Sequence, residues 1–173
     1  MPSLTSFLST LVLPTLLLAS PTPLVPRQDD ACAPTSYTIT NYSYTAVSGK
    51  DAHLSFDFQP NFSDPSIISD PVGASTSCTI DAPSGTIPNS NECSSPGRSL
   101  LLDLRAPQEQ AYYQITHTWG CNGQEWMSGT AVKIQPLQCE QSAEAGSMLC
   151  ASEAQTFAPQ NVRKICWTPN CVQ

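Results

Sequence analysis

Polar and apolar side chains alternate along much of this chain with the two-residue period of β-strands. The clearest run is 53–59, where Leu54, Phe56 and Phe58 share one face and polar residues share the other. The run 37–44 alternates Tyr, Ile, Asn and Ser with Thr, Thr, Tyr and Tyr, and it is dense in residues that favour pleated surfaces. Further strand candidates are 77–81, 99–105, 111–119, 129–135 and 162–167. The pattern predicts an all-β chain.

The segments between these runs are rich in turn-forming residues. Most of the sixteen prolines and eight glycines lie there, so the strands should be short and joined by irregular loops. The pattern predicts a small antiparallel β-barrel or β-sandwich. The only helix-prone piece is 141–153, QSAEAGSMLCASE, where we expect one short surface helix. No internal repeat or linker divides the chain.

An uncharged apolar run over 7–19 lies near the amino terminus. It is shorter than the roughly 20 residues that a membrane span needs, and small residues close it, as in the hydrophobic region of a signal peptide. We assign 1–19 to a signal peptide. The Pro-rich piece 20–27 ends at Arg27 and is either a pro-segment trimmed there or a disordered arm. Residues 28–173 would then form a single secreted, extracellular β-rich domain.

The cysteines and sequons suit an exported protein. An even number of cysteines in such a chain predicts disulfides, here four. The eight cysteines are Cys32, Cys78, Cys93, Cys121, Cys139, Cys150, Cys166 and Cys171. None of the spacings is CxxC, which argues against a zinc site. The sequons at Asn41 and Asn61 make these residues candidate N-glycosylation sites of a glycoprotein.

The charge pattern argues against nucleic acid and membrane partners. The sequence has fourteen acidic and seven basic residues, and the basic residues never cluster beyond a pair. Binding to phosphates needs grouped Lys or Arg side chains. The metal-binding patterns HxH, HExxH and DxDxDG are absent, so we expect no metal and no cofactor.

Candidate catalytic groups are few. A Ser/His/Asp triad would use His53 or His117, but the chain has no GxSxG elbow. Glycoside cleavage needs two carboxyl groups about 5 to 9.5 Å apart, a separation that sequence does not give. The candidates would be Asp51, Asp57, Asp103, Glu109 and Glu125. We therefore assign no catalytic residue, and keep a secreted hydrolase, a glycosidase or esterase, as the alternative to a non-enzymatic protein.

Two tryptophans bracket the segment WGCNGQEW and offer a possible ligand surface. Exposed rings of Trp119 and Trp126, with Glu125 as a hydrogen-bonding neighbour, would suit a carbohydrate-binding wall protein. The other interpretation, which we favour, is that both rings pack against disulfides in the core.

One ordered set of segments is a more specific signal than any of these candidate sites. The chain contains PRQDDACAPTSYTITNYSYT, FDF, Cys78 and Cys93 with fourteen residues between them, SLLLDLR and AYYQITHTWGC. Over roughly 32–139 this order resembles the secreted fungal AA1-like domain family, named after the major Alternaria allergen. The resemblance implies a small β-barrel with an early cysteine after an Arg-Gln processing point. It also implies an effector or allergen-like interaction protein whose partners are components of the cell wall or of a host's extracellular space.

The resemblance also bears on the disulfides. It implies a Cys78–Cys93 pair, and it matches Cys32 to an early cysteine that can bridge two chains, so a monomer and a disulfide-linked dimer both stay open. Cys121 matches a cysteine whose partner lies about a dozen residues later, whereas the next cysteine here is Cys139.

The residues alone also favour Cys78–Cys93, because both flank a Gly/Pro-rich loop whose closure is worth about 3 kcal/mol. Local pairs Cys139–Cys150 and Cys166–Cys171 would leave Cys32 to Cys121, although eight cysteines allow 105 connectivities.

Overall fold

The computed structural model describes residues 31–47, 50–93, 95–141 and 146–165. The expected signal peptide and pro-segment, and the cysteines Cys166 and Cys171, lie outside these ranges. Within them the chain is all-β, as predicted, with short 3-10 turns at Pro65–Ile67, Pro96–Arg98 and Gln108–Gln110. None of the helical segments in the described ranges has the length and hydrophobicity needed to cross a bilayer.

Twelve strands form two antiparallel sheets of six strands each. In chain order the strands are β1 (Pro34–Val47), β2 (Ala52–Phe62), β3 (Ile68–Ser69), β4 (Thr76–Ala82), β5 (Asn91–Glu92), β6 (Leu100–Leu104), β7 (Tyr112–Cys121), β8 (Gln124–Lys133), β9 (Gln138–Gln141), β10 (Ser147–Ser152), β11 (Gln155–Phe157) and β12 (Arg163–Lys164). The first sheet has the order β4-β2-β1-β10-β9, with β11 also paired to β1. The second has the order β12-β8-β7-β6-β5, with β3 also paired to β7. The two sheets stay separate, so the fold is a sandwich and not a closed barrel.

The long central strands supply the core between the sheets. On β2 the side chains of Leu54, Phe56 and Phe58 are at most 3% exposed, which confirms the amphipathic strand predicted there. On β7 every second residue from Tyr113 to Cys121 is buried in the same way. Burying such faces in a shared core is the main stabilising contribution to a sandwich.

A β-bulge in β1 changes the face on which its side chains lie. Asn41 and Tyr42 together oppose the single residue Phe56 of β2, and Asn41 has a positive φ of 53°. The extra residue shifts the alternation by one position. Tyr37 and Ile39 before Asn41, and Tyr42 and Tyr44 after it, are therefore all buried on the inner face. The unbroken alternation predicted for 37–44 was wrong, because it placed Tyr42 and Tyr44 on the face opposite to Tyr37.

The short helix predicted over 141–153 was also wrong. Residues 138–141 and 147–152 are the paired strands β9 and β10, and residues 142–145 lie outside the described ranges. Cys139 and Cys150 are direct cross-strand partners joined by a disulfide, and β10 also pairs with β1. These non-local contacts outweigh the helix propensity of the Ala- and Glu-containing sequence.

Three disulfides lie in the described part of the chain. Cys32–Cys121 joins a residue two positions before β1 to the end of β7, and Cys78–Cys93 joins β4 to the residue after β5. Both therefore link one sheet to the other, while Cys139–Cys150 staples a hairpin within one sheet. The Cys78–Cys93 pair agrees with both lines of sequence reasoning. Cys32 is bonded within the chain, so it does not form the interchain bridge that the family resemblance allowed.

We predict that the two types of disulfide differ in their contribution to stability. The Cys32–Cys121 bond has a sequence separation of 89, against 11 for Cys139–Cys150. In the chain-entropy model the longer loop is worth about 2 kcal/mol more. The double variant Cys32→Ser/Cys121→Ser should therefore lose about 2 kcal/mol more unfolding free energy than Cys139→Ser/Cys150→Ser in guanidinium titrations. An equal loss, or a larger loss for the hairpin variant, would contradict this prediction.

Candidate functional site

His117 lies at the centre of the sandwich and is fully buried. β7 points its imidazole inward, where it stacks on Trp119 at a ring-centroid distance of 5.0 Å. Tyr37 and Phe58 of the opposite sheet meet the imidazole edge-on, at 5.6 and 5.5 Å. An imidazole that is removed from water in this way needs hydrogen-bond partners within the protein.

Both ring nitrogens of His117 have such partners, and they belong to a chain of four side chains. Nε2 lies 3.1 Å from Asp70 Oδ1, and Nδ1 lies 3.2 Å from Tyr37 Oη. Tyr37 Oη is in turn 2.6 Å from Ser128 Oγ. We call Ser128, Tyr37, His117 and Asp70 the polar chain. It joins the two sheets, because Tyr37 belongs to β1 whereas His117 and Ser128 belong to β7 and β8.

The direction of the hydrogen bonds follows from the chemistry of the two ends. An ionised carboxylate only accepts, so the proton of a neutral imidazole lies on Nε2 and Nδ1 is an acceptor. The Tyr37 hydroxyl then donates to Nδ1 and accepts from Ser128 Oγ. Burial raises the pKa of Tyr37 well above its ordinary value, which keeps this phenol protonated as the donor.

A turn after β3 holds Asp70 against His117. β3 pairs with Gly120 and Cys121 of β7, which places the following residue, Asp70, beside the imidazole. Oδ1 of Asp70 also accepts from the backbone N–H of Val72 at 2.8 Å. The turn closes with the N–H of Gly73 donating to the Asp70 carbonyl, and Gly73 has a φ of 66°, which favours glycine.

The second carboxylate oxygen of Asp70 has a different environment. His117 Nε2 is 3.1 Å from both oxygens, but it forms a hydrogen bond only to Oδ1. Oδ2 is buried without a hydrogen-bond partner, and the Asp70 side chain is 7% exposed. Asp70 also lines a surface cavity of about 400 Å³ together with Gln59, Asn61, Phe62, Pro65 and Ile68. We call this space the Asp70 cavity. The polar chain thus runs from the core, at Ser128, to the wall of the cavity, at Asp70.

The two tryptophans of the predicted ligand surface are buried. Trp119 and Trp126 are 2% and 5% exposed and pack around the Cys32–Cys121 disulfide. Trp119 Nε1 donates to the Cys32 carbonyl at 2.9 Å. Neither ring therefore has the open face that sugar stacking requires, and both take the core packing role that we favoured. Glu125 is exposed and lines a second cavity of about 640 Å³ together with Trp119, Arg98 and Ile165, so the structure does bring Glu125 and Trp119 to one place.

The two sequon asparagines lie in different environments. Asn41 is exposed at the bulge of β1, where its Nδ2 donates to Asp57 at 2.7 Å. Hydrogen bonds from Ser77 and Asn41 lower the pKa of Asp57 below its ordinary value. Asn61 is half-buried, donates to the Ser36 hydroxyl at 3.2 Å, and lines the Asp70 cavity. A glycan on Asn61 would therefore start at the cavity.

The other candidate catalytic residues do not join the polar chain. His53 is half-exposed on the outer face of the first sheet and pairs with Asp81 at 2.6 Å. Asp57 lies on the same face, whereas Asp103 lies on β6 in the second sheet, where it accepts from the Ser90 N–H at 2.7 Å. Within the described ranges, no group of three or more His, Cys, Asp or Glu side chains is placed to hold a metal ion.

Sequence reasoning had singled out His117 but none of the other three members of the polar chain. They are separated from their hydrogen-bond neighbours by 47, 80 and 91 residues. The sequence contained one signal that a buried polar network exists. Ser128 and Thr130 occupy inward positions of β8 that the alternation assigns to the core, and a polar side chain at such a position needs a buried partner.

Comparison with known proteins identifies no relative. No family model and no curated protein matches the sequence, and no solved structure matches the fold. The function is therefore inferred from the geometry of the chain itself.

We predict that alkali unfolds this protein through its buried tyrosines. Burial raises the pKa of Tyr113, which hydrogen-bonds Tyr42, to about 12, and it raises the pKa of Tyr37, Tyr42 and Tyr44 as well. Unfolded tyrosine has a pKa near 10. A raised pKa in the folded state means that stability is fully present below pH ~10 and falls as the pH rises towards the folded pKa.

The measurement is the absorbance of tyrosinate during a pH titration. These four phenols should ionise only together with the loss of the near-UV circular dichroism signal. In 6 M guanidinium, as a control, they should ionise near pH ~10. Ionisation of all tyrosines near pH 10 with the tertiary signal intact would refute the prediction.

Proposed function

We propose that this chain is a secreted, non-enzymatic recognition protein that acts at a cell wall or in a host's extracellular space. The uncharged apolar run over 7–19 and the disulfides support export, because structural disulfides belong to oxidising compartments. Disulfides that join the two sheets also support recognition, because a rigid surface loses less conformational entropy on binding.

The orientation of the polar chain is the observation that carries this proposal. Hydrolysis by a Ser/His/Asp triad needs the serine hydroxyl hydrogen-bonded to histidine and open to substrate. Here Ser128 is 0% exposed, and the Tyr37 hydroxyl stands between Ser128 and His117. At the other end, Oδ1 of Asp70 accepts from His117 and from Val72, and Oδ2 is buried. An enclosed hydroxyl that does not contact the imidazole is a poor nucleophile, so this arrangement favours a structural role for these residues over hydrolysis.

A relation to the fungal AA1-like proteins is part of the proposal. The Cys78–Cys93 disulfide and the all-β fold support it. The intrachain Cys32–Cys121 bond and the two separate sheets are departures from the pattern that the resemblance implies. Under this relation the chain would act as an effector or allergen-like protein.

An activity screen with a matched pair of variants tests the proposal. The purified protein is incubated with a panel of glycosides, esters and peptides, in parallel with Ser128→Ala and Ser99→Ala. Ser99 is the control, because it is also a buried serine but hydrogen-bonds Ser95 outside the polar chain. We expect no turnover that depends on Ser128. Turnover that Ser128→Ala abolishes and Ser99→Ala retains, with both variants folded, would overturn the proposal.

A further inference from the structure

We propose that Asn41 carries an N-linked glycan on the outer face of the first sheet, whereas Asn61 stays unmodified. The inference rests on the proposed export, because N-linked glycans are found on exported chains. It goes beyond the sequence pattern, which does not distinguish the two sequons. The fold places the two asparagines in different surroundings, and only those of Asn41 suit a bulky sugar.

The β-bulge in β1 presents the side chain of Asn41 to solvent. Bulges re-aim the side chains that they contain, and Asn41 lies in this one. Its φ of 53° is a left-handed conformation that asparagine adopts more readily than most residues. Asn41 is exposed, whereas Tyr42, the middle residue of the sequon, is 3% exposed and belongs to the core. A substituent on the Asn41 amide therefore extends into solvent and leaves the core intact.

The Asn41 amide can give up one N–H and still keep a donor for its hydrogen bond. A side-chain amide has two N–H donors, and one of them remains when a sugar is attached to the nitrogen. Within the described ranges, Nδ2 of Asn41 donates to Asp57 Oδ2, at 2.7 Å. The same carboxylate also accepts from the Ser77 hydroxyl, so its position does not depend on Asn41 alone.

The outer face next to the bulge has room for the first sugars. Ser43 has Ser55 of β2 and Ala151 of β10 as its cross-strand partners, and Ser55 is paired with Thr79 of β4. These residues form one row across the outer face, and all of them have small side chains. The hydroxyl groups of the row can form hydrogen bonds with the hydroxyl groups of a sugar.

The surroundings of Asn61 do not suit a sugar. Asn61 is half-buried, and its Nδ2 donates to the hydroxyls of Ser36 at 3.2 Å and Thr38 at 3.4 Å. A sugar on this nitrogen leaves one N–H for two acceptors, and it must also fit at the wall of the Asp70 cavity. Chains that carry this sugar lose a hydrogen bond of the fold, so they should fold less well and be rare among secreted molecules.

The modification is a group transfer from a lipid-linked oligosaccharide, the donor of the export route. Nδ2 of Asn41 loses one proton and forms a bond to C1 of the first sugar. The bond between C1 and the lipid diphosphate breaks, and the diphosphate leaves as an anion. Transfer precedes folding, so both sequons meet the transferase. The fold then determines which of the glycosylated chains persist.

Peptide mapping of the secreted protein tests the inference. The full chain is expressed in a eukaryotic host that secretes and N-glycosylates a co-expressed reporter. After reduction, trypsin cleavage at Arg27, Lys50 and Arg98 places the two sequons in separate peptides, 28–50 and 51–98. Enzymatic release of the glycan in heavy-oxygen water converts a glycosylated Asn to labelled Asp, and mass spectrometry gives the modified fraction of each peptide.

We expect most molecules to be modified in the 28–50 peptide. The modified fraction of the 51–98 peptide should be at least fivefold lower, because the loss of one hydrogen bond changes an equilibrium by about this factor.

Three variants, compared by intact mass, are matched controls. Ser43→Ala removes the Asn41 sequon and should remove the glycan mass. Ser43→Thr keeps both the sequon and a hydroxyl and should retain that mass. Ser63→Ala removes the Asn61 sequon and should leave the glycan mass unchanged. Neither serine is fully buried, and near-UV circular dichroism checks that each variant is folded.

Two results would overturn the inference: a secreted protein without a sugar on Asn41, or a modified fraction of the 51–98 peptide within fivefold of that of 28–50. Both results leave the proposed function standing, because the chain is still exported. Retention of the parent chain inside a host that secretes the reporter would instead contradict the proposed export, and the inference with it.

Discussion

The hydrogen bond between the Tyr37 hydroxyl and His117 is the constraint on which the packing of this sandwich depends. It joins β1 of one sheet to β7 of the other at the centre of a core that is otherwise largely apolar. Apolar side chains tolerate small shifts, but a buried imidazole with an unsatisfied nitrogen costs about 1–3 kcal/mol. The two sheets therefore have one favourable relative position, in which Ser128, Tyr37, His117 and Asp70 are all hydrogen-bonded.

The Cys32–Cys121 disulfide reinforces the same position. Trp119 contacts both features, because its ring stacks on His117 and its Nε1 donates to the carbonyl of Cys32. Phe62 packs edge-on against Trp119 and also lines the Asp70 cavity. Continuous contacts therefore connect the Cys32–Cys121 disulfide, the polar chain and the Asp70 cavity. These contacts fix the position of the cavity wall.

Sequence reasoning was reliable where a pattern is local and unreliable where a partner is distant. The alternation of Leu54, Phe56 and Phe58 located β2 correctly, because strand periodicity depends only on the backbone pleat. The bulge at Asn41 left no comparable signal, since one inserted residue simply changes the phase of the alternation. The segment around Cys150 was misassigned because its pairing with Cys139 and with β1 overrides local propensity. His117 could be named, but Asp70 and Tyr37 could not, since periodicity assigns a face and not a neighbour in the opposite sheet.

The functional account follows from the burial of the polar chain. Ser128 is 0% exposed, and the Tyr37 hydroxyl separates it from His117. The central claim is that the hydrogen bonds of the polar chain all run in one direction, with the His117 proton on Nε2. A long-range proton–nitrogen NMR spectrum of labelled His53→Gln protein at neutral pH tests it directly, because only one histidine then remains. The account predicts a neutral imidazole protonated at Nε2. A proton on Nδ1, a doubly protonated ring, or the averaged signal of an exposed imidazole would contradict it.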